Sequence, residues 1–90
     1  MNKAELIEAV AIECDITRPA AARAVDSVLA NIERTLKKGD EVRLLGFGTF
    51  SVVERAARKG RNLKTNETID IPARKIPKFA AGKNLKDSVE

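Results

Sequence analysis

The 90 residues include no histidine, tryptophan or tyrosine, a single cysteine and only three phenylalanines, and each shortage removes a class of protein. With Cys14 alone and no His, neither an intrachain disulfide nor an ordinary zinc site can form. The same inventory holds no nucleophile with a base to activate it and no metal cluster. The chain is therefore expected to catalyse nothing and to need neither metal nor cofactor. Without Tyr or Trp it is poorly furnished to stack single-stranded bases. No apolar run approaches the length of a membrane span, and no membrane partner is expected. Glu5 and Glu8 interrupt the N-terminal apolar residues, which lack the basic flank and apolar run of a secretory signal. Asn66-Glu67-Thr68 fits a glycosylation pattern, which without such a signal reads as coincidence. Cys14 closes an apolar helix face and reads as a small buried hydrophobe, a weak sign of a reducing compartment.

What remains is a thin core and an uneven charge. Of 39 apolar residues 13 are alanine, leaving 24 Leu, Ile, Val and Phe side chains to supply most of a core. A single core this small rarely contributes more than roughly 3 to 5 kcal/mol, so such chains usually add disulfides, a metal or a partner subunit. With the first two removed, oligomerisation remains. The net charge of +4 is spread unevenly: residues 1–45 hold 7 basic and 8 acidic side chains, residues 46–90 hold 10 and 5. A basic half on a near-neutral half implies a scaffold presenting a polyanion-binding surface, nucleic acid being the commonest such partner.

Asn2 followed by Glu5 resembles a capping box, and Leu6, Ile7, Val10, Ala11 and Cys14 recur at helical spacing, predicting a helix over about residues 3–14. Thr17 can cap a second helix, whose first turn tolerates Pro19 because the missing N–H has no intrahelical partner there. Ala21, Val25, Val28, Leu29, Ile32 and Leu36 mark one face of that helix, and Lys37, Lys38 and Gly39 end it. Beyond Gly39 the period changes. Val42, Leu44 and Leu45, then Phe50, Val52 and Val53, read as two strands joined at Gly46 and Gly48, which are taken as turn residues because no helix follows to make a phosphate loop.

From Glu54 to Arg74 the chain reads as a long hairpin with little to pack against. Arg55, Arg58, Lys59, Arg61 and Lys64 punctuate the outward strand, Asn62 to Asn66 carries the turn, and Thr68, Ile69, Asp70 and Ile71 alternate on the return. Such a ribbon would reach roughly 30 Å, and being marginal alone it is expected to be mobile until bound. A turn centred near Leu63 would set Lys59 opposite Glu67. Residues 75–79 return to the sheet, and Lys83 to Val89 form a short final helix with Leu85 and Val89 inward.

The ordered run Gly46-Phe47-Gly48-Thr49-Phe50, Gly60-Arg61-Asn62, Ile71-Pro72-Ala73 and Pro77-x-Phe79-x-x-Gly82-Lys83 resembles the signature of the HU/integration host factor family of bacterial histone-like proteins. The resemblance implies an α+β intertwined homodimer with a helical base, a three-stranded antiparallel sheet per chain and a protruding two-stranded β-ribbon arm. Residues 1–53 and 75–90 would then form the dimerisation body and 54–74 the arm. It also implies double-stranded DNA as partner, held through minor groove and phosphates, in the nucleoid of the bacterial cytoplasm. Phe47, Phe50 and Phe79 would pack across the subunit boundary.

The minor groove presents mainly acceptors, which donors on Arg61 and Asn62 could meet without reading sequence finely. Arg55, Arg58, Lys59 and Lys64 would neutralise phosphates along the arm. Lys83, at the start of the last helix, would meet phosphate beside free backbone N–H groups, and Lys3, Lys75 and Lys86 are candidate body contacts. Leu63 would be the intercalating wedge. HU-type proteins are themselves the type example of an inserted apolar side chain that kinks the duplex by roughly 20 to 90°. The family usually has proline at this position and glycine where Asn66 stands. Leucine has rotamers to lose, worth roughly 0.5 to 1 kcal/mol, and Asn66 can adopt a left-handed turn. Three alternatives stay open: a site-specific subunit like integration host factor, RNA as a further partner of the ribbon, and a dimeric scaffold for other proteins.

Overall fold

Two kinds of local signal, side-chain caps and residues suited to positive φ, mark the element ends in the computed structural model, which describes residues 1–90. Helix α1 spans Lys3–Cys14. Asn2 caps it, its Oδ1 accepting the Glu5 N–H at 2.8 Å, so one of the four orphan donors of the first turn is satisfied. At the other end Asp15 takes a left-handed conformation (φ 53°), and the Ile16 N–H closes on the Ala11 carbonyl at 3.0 Å. Helix α2 spans Arg18–Lys37. Thr17 Oγ1 accepts the Ala20 N–H at 3.3 Å, with Pro19 in the first turn as expected.

The chain divides into two compact units, Met1–Arg34 and Thr35–Glu90. In the first, α1 and the greater part of α2 run antiparallel, as the ion pairs Lys3 to Asp26 (2.6 Å) and Arg18 to Glu8 (2.8 Å) require. Only Ala11, Ala21 and Val25 are buried apolar residues anywhere in the chain, and no large side chain is fully buried. Leu6, Val10, Val28 and Leu29 instead line an open apolar groove between the helices. Cys14, expected to be buried, is exposed. It is the last helical residue, and the chain turns away at Asp15 instead of folding back over it.

The second unit carries strands β1 (Val42–Leu44), β2 (Gly48–Arg55), β3 (Arg58–Arg61), β4 (Thr68–Ile71) and β5 (Arg74–Ala81), then helix α3 (Lys83–Val89). Strands β1, β2 and β5 form an antiparallel sheet in that order, and β3 pairs with β4 in a separate two-stranded ribbon. The fold is thus α+β with a three-stranded sheet and a ribbon, as expected. Gly46 makes the β1–β2 turn at φ 81°. Gly48, expected in the turn, is the first residue of β2, paired with Ala81. A Cβ there would fall 2.5 Å from the Phe79 ring and 2.7 Å from the Ala80 carbonyl, so close packing by Phe79 is what requires the glycine. In α3, Leu85 is half-buried, but Val89, expected inward, is 77% exposed in the frayed last turn.

Candidate nucleic-acid interface

Strand alternation sorts the charged residues before any contact is considered. In the β2–β5 ladder, Phe50 pairs with Phe79, Val52 with Pro77 and Glu54 with Lys75, all on one face. The other face carries Val53 with Ile76, Ser51 with Lys78 and Arg55 with Arg74. The phenylalanines form a cluster: the Phe79 ring centroid lies 4.7 Å from Phe50 and 5.5 Å from Phe47, in tilted contact. Phe47 and Phe79 are nevertheless 45% and 40% exposed, so their face of the sheet stands half-open to solvent.

The ribbon begins at Arg58, three residues beyond Arg55. Pairing lapses at Ala56-Ala57 and Pro72-Ala73, where proline has no N–H to give a ladder, and resumes with Arg58 opposite Ile71. Regular ribbon pairing therefore covers four residues a side, Arg58–Arg61 against Thr68–Ile71. One face holds Arg58, Gly60, Ile69 and Ile71, the other Lys59, Arg61, Thr68 and Asp70. Lys59 stands opposite Asp70, not Glu67. The loop runs over Asn62–Glu67, so its centre falls between Lys64 and Thr65 and not at Leu63, which shifts the register by three residues.

Asn62 organises this loop. Its N–H donates to the Glu67 carbonyl (2.8 Å), its carbonyl accepts from the Asn66 N–H (2.7 Å), and its Oδ1 accepts from the Lys64 N–H (2.9 Å). Asn66 holds φ 61°, the left-handed conformation expected of it. With Oδ1 engaged, Asn62 keeps its Nδ2 as a free pair of donors. Leu63, next in sequence, is 94% exposed. An apolar side chain held out at a tip, beside an amide donor and flanked by Arg61 and Lys64, suits insertion into something with an apolar interior and an acceptor-rich edge.

None of the ribbon's basic side chains has an ion-pair partner within 4 Å, whereas Lys3, Arg18 and Arg43 are paired with Asp26, Glu8 and Glu41. Lys3 would have to leave Asp26 to meet a phosphate. Lys83 and Lys86 stand on successive turns of α3, whose seven residues carry only a weak dipole, so Lys83 acts as a point charge. Lys75 falls on the phenylalanine face opposite Glu54, apart from the arginines. Arg74 and Lys78 share the Arg55 face and were missed by the sequence reading. The alternation Arg74, Ile76, Lys78 was the signal that could have found them.

A small α+β chain whose sheet leads into an unneutralised basic ribbon with an apolar tip belongs to the class of proteins that grip polyanions with a β-hairpin. The sequence model described as "Bacterial DNA-binding protein" matches residues 1–90. The chain is 57% identical over 90 residues to DNA-binding protein HU of Staphylococcus aureus, covering all of both chains. It is 55% identical over 89 residues to HU-beta of Salmonella typhimurium, covering 99% of each. Its fold matches the HU of an Anabaena HU–DNA cocrystal structure with a TM-score of 0.88 at 45% identity, covering 99% of this chain and 97% of that one. The chain belongs to the bacterial DNA-binding protein family, among its histone-like HU members.

Proposed function

We propose that two copies of this chain form a homodimer that grips duplex DNA between its ribbons through the minor groove, and bends and compacts it with little regard to sequence. The observation that carries this reading is the ribbon itself, whose cations lack protein partners and whose tip presents Leu63 to solvent at 94% exposure. Arg55, Arg58, Lys59 and Lys64 neutralise phosphates and release counterions. Each neutralised phosphate contributes about 0.9 to the slope of log affinity against log salt. Arg61 and the Asn62 Nδ2 donate to adenine N3 and thymine O2, acceptors that A·T and T·A pairs present alike. Leu63 enters a base step and partly unstacks it, at an unstacking cost of about a few kcal/mol. The bend brings further phosphates within reach of Lys83, Lys86, Lys75 and, once freed from Asp26, Lys3.

Burial supports the homodimer. No large side chain is fully buried, and Leu6, Val28, Leu29, Phe47 and Phe79 are each 39% exposed or more. Phe47, Phe50 and Phe79 on the sheet, and Leu6, Val28 and Leu29 along the helices, are the side chains the dimer would cover. Residues 1–53 and 75–90 then serve as the dimerisation body and 54–74 as the arm of one domain. The product is a shape imposed on DNA, with no bond made or broken, in the bacterial nucleoid.

Binding to an arbitrary duplex of a few tens of base pairs, to an unrelated duplex and to a nicked one, at low and moderate salt, tests this reading. Similar affinity for both intact duplexes, tighter binding to the more easily bent nicked one and steep loss with salt are expected. Strong preference for one intact duplex would indicate a site-specific protein, and no binding at low salt would remove the DNA reading.

A further inference from the structure

At the root of the ribbon, where pairing lapses, three arginines gather without an acid among them. Arg55 and Arg74 stand directly opposite one another on the last rung of the β2–β5 ladder, and Arg58 opens the β3–β4 ladder opposite Ile71. Together with Ala56, Ile71, Pro72 and Ile76 they line a concavity of about 310 Å³. Like charges directly opposed across an antiparallel pair are destabilising, so a ladder that ends on arginine against arginine carries a built-in repulsion. No carboxylate lies within 4 Å of any of the three. The nearest acids in sequence, Glu54 and Asp70, occupy neighbouring register positions whose side chains alternate to the other face. A cleft rimmed by planar forked donors suits a compact anion with several acceptor oxygens, and phosphate has that chemistry.

We propose that this cleft is a phosphate clamp at the hinge of the ribbon: one phosphate group, held jointly by Arg55, Arg58 and Arg74, ties β3–β4 to the three-stranded sheet across the break. The anion supplies the connection that the backbone lacks at Ala56-Ala57 and Pro72-Ala73, and relieves the opposition of Arg55 and Arg74. The arm would thus stiffen at its root because it has met a phosphate, independently of whether Leu63 has inserted. The clamp rests on the DNA-binding reading for a backbone phosphodiester as its occupant, and the same chemistry would admit an inorganic phosphate species. Arg74 is the binding residue that distinguishes the clamp from a row of separate phosphate contacts.

Two measurements test it on the full-length protein, comparing native, Arg74→Gln, Arg74→Lys and, as a control remote from the ribbon, Lys38→Gln. In the first, pyrophosphate is titrated into the free protein and followed by amide NMR. Saturable shifts at residues 55–58 and 71–74, absent from the tip at 62–67 and abolished by Arg74→Gln, are expected. In the second, salt dependence and amide hydrogen exchange are measured on the DNA complex. Arg74→Gln is expected to lower the salt slope by about 0.9 for each clamp lost and to release protection at Ala56, Ala57 and Ala73. Arg74→Lys keeps the slope but loses the protection, because an ammonium group cannot bridge as a fork does, and Lys38→Gln alters neither. Native slope and native hinge protection in Arg74→Gln, or pyrophosphate shifts spread evenly over the basic residues, would overturn the clamp. A native protein that takes pyrophosphate in the cleft but binds no duplex would remove the DNA reading and leave the clamp with an inorganic occupant. Duplex binding without any hinge response would leave the DNA reading and remove the clamp.

Discussion

The helical unit and the ribbon of this chain handle charge in opposite ways. Residues 1–34 carry 4 basic and 6 acidic side chains, and residues 35–90 carry 13 and 7. In the helical unit Lys3 and Arg18 are each held by an acid on the other helix, and the first helix is closed by a side-chain cap. In the ribbon the cations have no such partners, and at its root, on the last rung of the β2–β5 ladder, Arg55 even faces Arg74. A surface ion pair is worth roughly 0 to 1 kcal/mol, so the helices gain little from pairing and the ribbon forfeits little by going without. What the ribbon keeps is unneutralised charge for a polyanion. The comparison teaches that substitutions in the first unit and in the sheet should move stability, and substitutions in the ribbon should move binding.

The largest effect is expected at the phenylalanine cluster. Phe79→Ala removes both ring contacts, and in the proposed dimer, which would bury the ring, it should cost about 3 to 5 kcal/mol. Urea denaturation at several protein concentrations would register this as a lower midpoint with a stronger concentration dependence. An effect under about 0.5 kcal/mol, the size typical of a surface substitution, would argue against a buried role.

Next in size is Leu63→Ala. The side chain is 94% exposed, so stability should change by no more than about 0.5 kcal/mol. DNA bending measured by fluorescence transfer between duplex ends should fall clearly, and an unchanged bend would mean that Leu63 is not the wedge. Asn2→Ala is expected to do the reverse, costing about 1 kcal/mol of stability while leaving the DNA salt slope untouched. A changed slope would break the separation between the units.

The smallest effect is expected for Asp70→Asn. Removing the acid opposite Lys59 should raise affinity at low salt by no more than about fivefold, the equivalent of a cross-strand pair worth under 1 kcal/mol, and should steepen the salt dependence slightly. Glu67→Gln should act in the same direction, because it removes a negative charge from the loop that joins β3 to β4. A shallower slope in either variant would show that the acids help binding instead of opposing it.

Much of this was legible in the chain because it depends on near neighbours. The Asn2 and Thr17 caps, the helix end at Gly39, the turn at Gly46 and the left-handed Asn66 each need only a few residues of context, and each forms as read. The misreadings have a common cause. Cys14 and Val89 follow the periodicity of buried positions, yet periodicity names a face and not what covers it. A turn centred on Leu63 would oppose Lys59 to Glu67, but the structure pairs Lys59 with Asp70. The three bonds Asn62 makes to Lys64, Asn66 and Glu67 move that centre toward the C-terminus. Arg74 was passed over because its meaning lies in a residue 19 positions earlier, Arg55, directly across the ladder.

The sequence by itself determined the secondary-structure types, the basic ribbon and its apolar tip, and the thinness of the core, since local propensity, alternation and a shortage of large apolar side chains are properties of composition and order. Only the tertiary structure decided which cations share a face, which acid stands opposite Lys59, why Gly48 must be glycine beneath Phe79, and that three arginines meet at the break in the ladder. Those outcomes depend on strand register, where a shift of a single residue sends every side chain to the other face, and register is settled by loop geometry and packing across the whole sheet.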